Sequence, residues 1–187
     1  MGLTLVTGPG AEPVSLAELK SWCRVDFTDD DTLLASNGVA AREFVEQATG
    51  RQLVAATWKM TARCFGAMQL RLPKPPLQSV TSVKYRDANG TLQTLDPSDY
   101  LVDLPSNSIE PVDSWPGVGD YPDAVQVTFE AGYGDAADVP QTIKHAIQCL
   151  AAHWYENREP AVIGVSAAEV PTHVRSLINQ AKTWRLT

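Results

Sequence analysis

Three side chains that can bind a metal ion share one predicted helix: His145, Cys149 and His153. Each follows the previous one by four residues, or about one helical turn, and imidazole and thiolate are ligands that zinc prefers. The row drifts around the helix, and a tetrahedral site still needs a fourth ligand. These residues therefore leave two interpretations open, a metal-assisted hydrolase or the semi-polar face of a helix that packs on a neighbour.

The glycine turn in FEAGYGDAADVPQTIKHAI joins a predicted strand to that helix. Amide groups at a helix start, next to glycines, hold phosphate in many proteins. This turn lacks the third glycine of a dinucleotide fingerprint and the Lys-Ser or Lys-Thr of a P-loop, and Asp135 and Asp138 would repel a phosphate. A structural joint is the better interpretation, in which Gly132 and Gly134 supply permissive backbone angles and Pro140 takes the first helical position.

Other reactive residues have simpler explanations. The aspartates at positions 29–31 point in different directions at a helix start, so capping explains them better than a cation site does. Cys23, Cys64 and Cys149 are odd in number and form no C-x-x-C pair, which predicts reduced thiols. The chain also lacks the G-x-S-x-G and H-E-x-x-H motifs. We therefore expect a protein that is not an enzyme and has no catalytic residue, cofactor or metal.

The predicted elements form an α+β pattern. Ser15 and Glu18 have the spacing of a capping box before a first helix. A second helix follows Thr28 or Asp29, is weakened in the middle by Gly38, and stops near Gly50. Alternating residues then predict strands, including a hairpin around an Asn-Gly turn, before two more amphipathic helices. The interpretation is one domain: a helical core of about four helices (1–51 and 132–187) with a β-rich insertion (52–131) between the second and third.

Composition narrows the class of protein. The chain has 187 residues, 44% of them hydrophobic and 20% charged, which is typical of a globular protein. A net charge of −7 with scattered Lys and Arg argues against tight binding to nucleic acid. No apolar run is long enough to cross a bilayer, and the N-terminal residues make a poor signal peptide. These features predict an intracellular soluble protein without a membrane partner.

The order of four segments resembles the head-tail connector (adaptor, or head completion) proteins of tailed bacteriophages, including relatives from prophages and gene transfer agents. The segments are SLAELKSWCRVD, DDDTLLASNGVAAREFVEQATGRQL, LPKPPLQSVTSVKYRDANG and VTFEAGYGDAADVPQTIKHAIQCLAAHWYENRE. The resemblance covers nearly the whole chain and is weakest after Glu159. It implies a structural virion protein with a helical core and a β-rich insertion.

The resemblance also implies partners. Such proteins form a ring, dodecameric in the particle, on the tail side of the portal, where the ring extends the DNA channel and provides the docking surface for the stopper or tail completion protein. Double-stranded DNA would pass through without specific binding, since like charge discourages adhesion. We expect a subunit that is in the host cytoplasm during assembly and in the virion afterwards. The residues expected to dock on the portal are Val174, Leu177, Ile178, Trp184, Arg185 and Leu186.

Overall fold

The computed structural model describes residues 1–157, 161–162, 165–166 and 171–182. Within these residues the chain forms four α-helices, α1 (Leu16–Cys23), α2 (Asp31–Thr49), α3 (Gln141–Glu156) and α4 (Thr172–Ala181). Most strands lie between α2 and α3, so the predicted α+β class with an inserted β region is confirmed. No helix in these residues is long and apolar enough to cross a membrane.

The strands of the described residues form three antiparallel sheets. A five-stranded sheet has the order β1-β2-β8-β4-β5, a three-stranded sheet has the order β3-β7-β6, and β9 pairs with β10. The bounds are β1 (Gly2–Thr7), β2 (Ala56–Ala62), β3 (Leu70–Arg71), β4 (Leu77–Arg86), β5 (Leu92–Thr94), β6 (Tyr100–Asp103), β7 (Ser108–Pro111), β8 (Val125–Ala131), β9 (Ala161–Val162) and β10 (Val165–Ser166).

The first compact unit consists of Met1–Gly10 and Val54–Gly134, and we call it the sheet unit. Its core contains side chains from both larger sheets, among them Met60, Val83, Val127 and Phe129 of the five-stranded sheet and Ile109 of β7. These five side chains have no exposed surface. Alternate residues of the strands supply this core, which is the period that a sheet with one buried face requires.

Strand β1 differs from the sequence interpretation, which assigned residues 1–51 to the helical core. It pairs antiparallel with β2, with Leu3 opposite Met60 and Leu5 opposite Trp58. The sequence contains no turn signal that links β1 to its partner, because β2 begins at Ala56, far along the chain. The predicted β region therefore lacked one edge strand.

The second compact unit consists of Ala11–Leu53 and the chain from Asp135 onward, and we call it the helical unit. The capping box at α1 is present, since the Glu18 amide donates to Ser15 Oγ and the Ser15 amide donates to Glu18 Oε2. The Ser15 hydroxyl also donates to Glu18 Oε2 at 2.7 Å, and this bond, together with that of the Ser15 amide, lowers the pKa of the Glu18 carboxyl. Helix α2 begins after Asp30, not after Thr28 or Asp29, and Gly50 ends it with φ 73° as expected.

Candidate functional site

The glycine joint at the end of β8 is held by backbone hydrogen bonds of the sheet unit. The Gly132 amide donates to Pro76 O at 2.9 Å, and the Ala55 amide donates to Gly134 O at 2.9 Å. Gly132 O also accepts from Gln78 Nε2 at 2.9 Å. Because the Gly132 amide already has a protein acceptor, it is not one of the free donors that a phosphate cradle needs.

Both glycines adopt backbone angles that other residues rarely reach. Gly132 has φ 131° and Gly134 has φ 119°. A Cβ on Gly132 would also lie 2.7 Å from the Ala55 amide nitrogen and 2.7 Å from the Val54 carbonyl carbon. The local geometry therefore requires glycine at position 132 for two independent reasons, backbone angle and space.

The start of α3 differs by one residue from the position that the sequence predicted. Pro140 is the N-cap residue, and the helix begins at Gln141, so Pro140 lies one position before the first helical position that the sequence predicted. Its carbonyl oxygen accepts from the amides of Ile143 at 2.9 Å and Lys144 at 3.1 Å. Proline is tolerated here because an N-cap residue, like the first helical residue, uses its carbonyl group and not its amide in the helix.

The side chains of His145, Cys149 and His153 do not converge on one site. Cys149 Sγ lies 3.6 Å from His145 Nε2, whereas His153 Nδ1 lies 3.2 Å from Asn157 Nδ2. The His145 ring also packs edge-on against Trp22, with 5.2 Å between ring centroids. Among the described residues, no group of three or more His, Cys, Asp or Glu side chains could hold a metal ion. Burial raises the pKa of the Cys149 thiol, which disfavours the thiolate that metal binding needs.

Helix α4 contains three of the predicted docking residues and buries two of them, Val174 and Ile178. Val174 is 0% exposed and Ile178 is 4% exposed, whereas Leu177 is only half-buried. Arg51 Nε donates to Ala181 O at 2.8 Å and ties the end of α4 to the residues after α2. Val174 and Ile178 therefore anchor α4 in the helical unit and do not form a surface for a partner. Trp184, Arg185 and Leu186 lie outside the described residues.

Two groups of exposed apolar side chains in the sheet unit were missed by the sequence analysis. Leu3 and Leu5 of β1 are 37% and 46% exposed. At the β6–β7 hairpin, Leu101 and Val112 are 61% and 52% exposed. Clusters of exposed apolar side chains of this kind mark interaction surfaces in soluble proteins. An alternating strand pattern does not reveal them, because it cannot tell an apolar face covered by its own chain from an uncovered one.

Comparison with protein families gives a match over residues 13–102, to the phage gp6-like head-tail connector protein family. The predicted relationship to head-tail connector proteins is confirmed. The match runs from the residues before α1 through the first half of the sheet unit, so it includes three of the four segments on which the resemblance was recognised. A comparison with curated proteins gave no match.

Chains of solved structures share the fold over the full length of this chain. The chain is 24% identical to a chain in the neck of an empty GTA particle computed with C6 symmetry, with a TM-score of 0.81. It is 23% identical to a chain in the virion of a native gene transfer agent particle (TM-score 0.83) and 23% identical to one in the neck of a native GTA particle computed with C12 symmetry (TM-score 0.80). Each match covers 100% of this chain and 98% of the other.

Proposed function

We propose that this chain is the connector subunit of a virion neck, where copies of it form a ring between the portal and the tail. The sequence match of residues 13–102 to the head-tail connector family carries this proposal. The full-length fold match to chains of gene transfer agent necks supports it, and the C12 symmetry of one of those necks supports a ring of twelve copies. The role is structural and acts through docking to neighbouring proteins, not through catalysis.

The portal and the stopper or tail completion protein are the proposed neighbours. Val174 and Ile178 hold α4 in place, so the portal-docking role passes to the C-terminal residues that follow α4, chiefly Trp184, Arg185 and Leu186. Tryptophan and arginine are the residue types that most often anchor a protein interface. The excess of acidic residues suits a channel wall past which double-stranded DNA must slide without adhering.

The hydrolase alternative receives no support from the geometry. It requires His145, Cys149 and His153 to meet at one ion, and His153 pairs with Asn157 instead. We therefore do not propose a second function.

Deletion of the gene from a particle-producing strain tests the proposal. We expect DNA-filled heads and separate tails, because the ring that joins them is missing, and electron microscopy of the lysate measures the fraction of tailed particles. Expression of the full chain, or of a chain that lacks only Thr187, should restore tailed particles. A chain that ends at Lys182 should fold with unchanged thermal unfolding but fail to restore them.

Two results would contradict parts of this proposal separately. Tailed particles at normal yield in the deletion strain would overturn the connector role. Full restoration by the chain that ends at Lys182 would leave the connector role intact and overturn the docking role of residues 183–187.

A further inference from the structure

Two rows of apolar side chains cross the buried face of the five-stranded sheet, from β1 through β2 and β8 to β4. One row consists of Leu3, Met60, Val127 and Val83, and the other of Leu5, Trp58, Phe129 and Val80. The members on β2, β8 and β4 belong to the core or pack against it, whereas Leu3 and Leu5 at the β1 end are exposed. The apolar face of the sheet therefore continues onto β1, where it is only partly covered.

The other end of the five-stranded sheet is closed. On the buried face of β5, Gln93 lies opposite Tyr85, so a polar side chain ends that row. Leu95, just after β5, is buried in the core. The exposed Leu92 lies opposite Arg86, and because side chains alternate along a strand, it is on the polar face. Exposed apolar side chains thus end the buried rows at β1 and not at β5.

The three-stranded sheet has the same asymmetry. Leu70 of β3, Ile109 of β7 and Val102 of β6 form an apolar row across it. Leu70 and Ile109 are buried, but Val102 at the β6 end is 39% exposed. Tyr100, two residues before Val102 and on the same face of β6, is part of the core. Each of the two larger sheets therefore has one outer strand at which its core row stops in an exposed side chain.

The backbone edges of β1 and β6 are also unprotected. Each is the outer strand of its sheet, and within the described residues its backbone bonds only to the one neighbouring strand. Natural proteins protect such edges with charged residues, proline or very short strands. Strand β1 has no charged residue or proline, and its register shifts only after Leu5; β6 has one charged residue, Asp103, at its last position. In contrast, β5 has three residues, and β3 has two, with Arg71 on it and Pro73 soon after.

We infer that β1 of one copy pairs with β6 of the next copy around the ring, an inference that rests on the proposed connector function. A closed ring of identical subunits needs two different surfaces on each copy, joined head to tail. Strands β1 and β6 are two different outer strands with the same unmet needs, unpaired backbone groups and a partly covered apolar row. Pairing them provides main-chain hydrogen bonds and continues the core rows of one copy into those of the next.

The competing occupant of the β1 edge is β1 of a second copy. Such a pair would be symmetric, would close as a dimer and would leave β6 uncovered on both copies. Pairing between β1 and β6 covers both exposed row ends of every copy. It is also a contact that each copy repeats with the next, as the C12 symmetry of the similar neck requires.

Charged substitutions at the two exposed row ends test the inference. Leu3→Glu/Leu5→Glu on β1 and Val102→Lys on β6 should each associate at least about tenfold more weakly than the wild-type chain, because each buries an unpaired charge in the contact. An equimolar mixture should associate more tightly than either variant alone, since carboxylates on β1 then meet an ammonium group on β6. The mixed oligomers should contain the two variants in equal numbers. Sedimentation velocity and native mass spectrometry, with the portal oligomer present if the wild-type chain needs it, measure this.

Leu92→Lys is the matched control. Leu92 is 42% exposed on the outer strand β5, close to the 46% of Leu5, but it lies on the polar face. This variant should associate like the wild-type chain. Thermal unfolding shows whether each variant keeps its fold, and where a charged variant does not, Leu5→Thr and Val102→Thr replace it and should still associate more weakly than the wild-type chain.

Three results would overturn the inference and leave the ring itself in place: edge variants that associate like the wild-type chain, a control that is weakened as much as they are, or no gain on mixing. Tighter association of Leu3→Glu/Leu5→Glu with Leu3→Lys/Leu5→Lys than with Val102→Lys would show pairing between two β1 strands and would overturn it too. A wild-type chain that never oligomerises, alone or with its portal, would overturn the proposed function as well.

Discussion

At the scale of single residues, the joint at Gly132 shows how much local sequence can reveal. The Gly-Tyr-Gly turn after an alternating strand indicated permissive backbone angles, and the structure has φ 131° and φ 119° at the two glycines. The sequence could not reveal that Ala55 and Val54 lie against Gly132, because that contact joins residues far apart in the chain. The turn was therefore predictable and the reason for its tight packing was not.

The substitution Gly132→Ala should destabilise the protein by about 2 kcal/mol or more. A side chain at this backbone angle costs on the order of 1–3 kcal/mol, and the close contact with residues 54 and 55 adds to that. Chemical denaturation followed by tryptophan fluorescence measures the free energy of unfolding.

Gly117→Ala is the matched control for this change. A Cβ at Gly117 meets no atom within 4 Å, and the residue lies in the same unit. The control should change the free energy of unfolding by less than about 0.5 kcal/mol. Equal effects of the two substitutions would contradict the role assigned to Gly132.

At the scale of secondary structure elements, prediction succeeded where the signal is local. The Ser15 and Glu18 capping box and the Gly50 stop both depend on residues within one helix, and the structure contains both. Gly38 is a different case. The sequence suggested only a weak point in α2, but a Cβ there would lie 2.7 Å from Leu19 Cδ1, so this glycine lets α1 approach α2 closely.

A buried ion pair on α2 was invisible in the sequence. Arg42 Nη1 donates to Glu46 Oε2 at 2.9 Å, and Arg42 Nε donates to Glu12 Oε2 at 2.8 Å. Glu46 Oε1 also accepts from Gln52 Nε2 and from the Leu53 amide. Burial by itself would lower the pKa of Arg42, but the carboxylates of Glu46 and Glu12 outweigh burial and raise it. An i to i+4 pair of opposite charges on a helix is usually a surface feature, and here it is enclosed.

Arg42→Met should reduce the free energy of unfolding by about 3 kcal/mol, because it leaves the buried Glu46 carboxylate without its cationic partner. The double variant Arg42→Met/Glu46→Gln should recover part of this loss, since it removes the uncompensated charge. The control Arg175→Met, on the exposed face of α4, should stay within about 0.5 kcal/mol of the wild type. A loss below about 1 kcal/mol in Arg42→Met, or no recovery in the double variant, would contradict this account.

At the scale of the whole molecule, the order of the predicted elements revealed the relationship to head-tail connector proteins. The sequence did not reveal which apolar faces of those elements are buried by the chain itself. Head-tail connector features in residues 13–102 were recognisable from the order of motifs, and the family match confirms them. The assignment of Val174 and Ile178 to portal docking was a different matter. The apolar stripe of an amphipathic helix marks a buried face without saying which partner buries it, and in α4 the helical unit itself does so.

Charge segregation along residues 54–134 of the sheet unit was present in the sequence. The change from only basic to only acidic residues at positions 86 and 87 falls at the turn between β4 and β5. The sequence alone does not place these charges on the surface, because strand pairing brings distant residues together: Arg71 of β3 and Asp103 of β6 both lie opposite Ser108 of β7.

Native mass spectrometry of the purified chain, with and without its portal oligomer, tests the central claim most directly. The spectra should show a closed oligomer of about a dozen copies, alone or bound to the portal, in line with the C12 symmetry of the similar neck. Without the portal, the fraction of closed oligomer should rise with protein concentration, because each contact is small and closure completes the set. A chain that remains monomeric at every concentration and does not bind the portal would contradict the account.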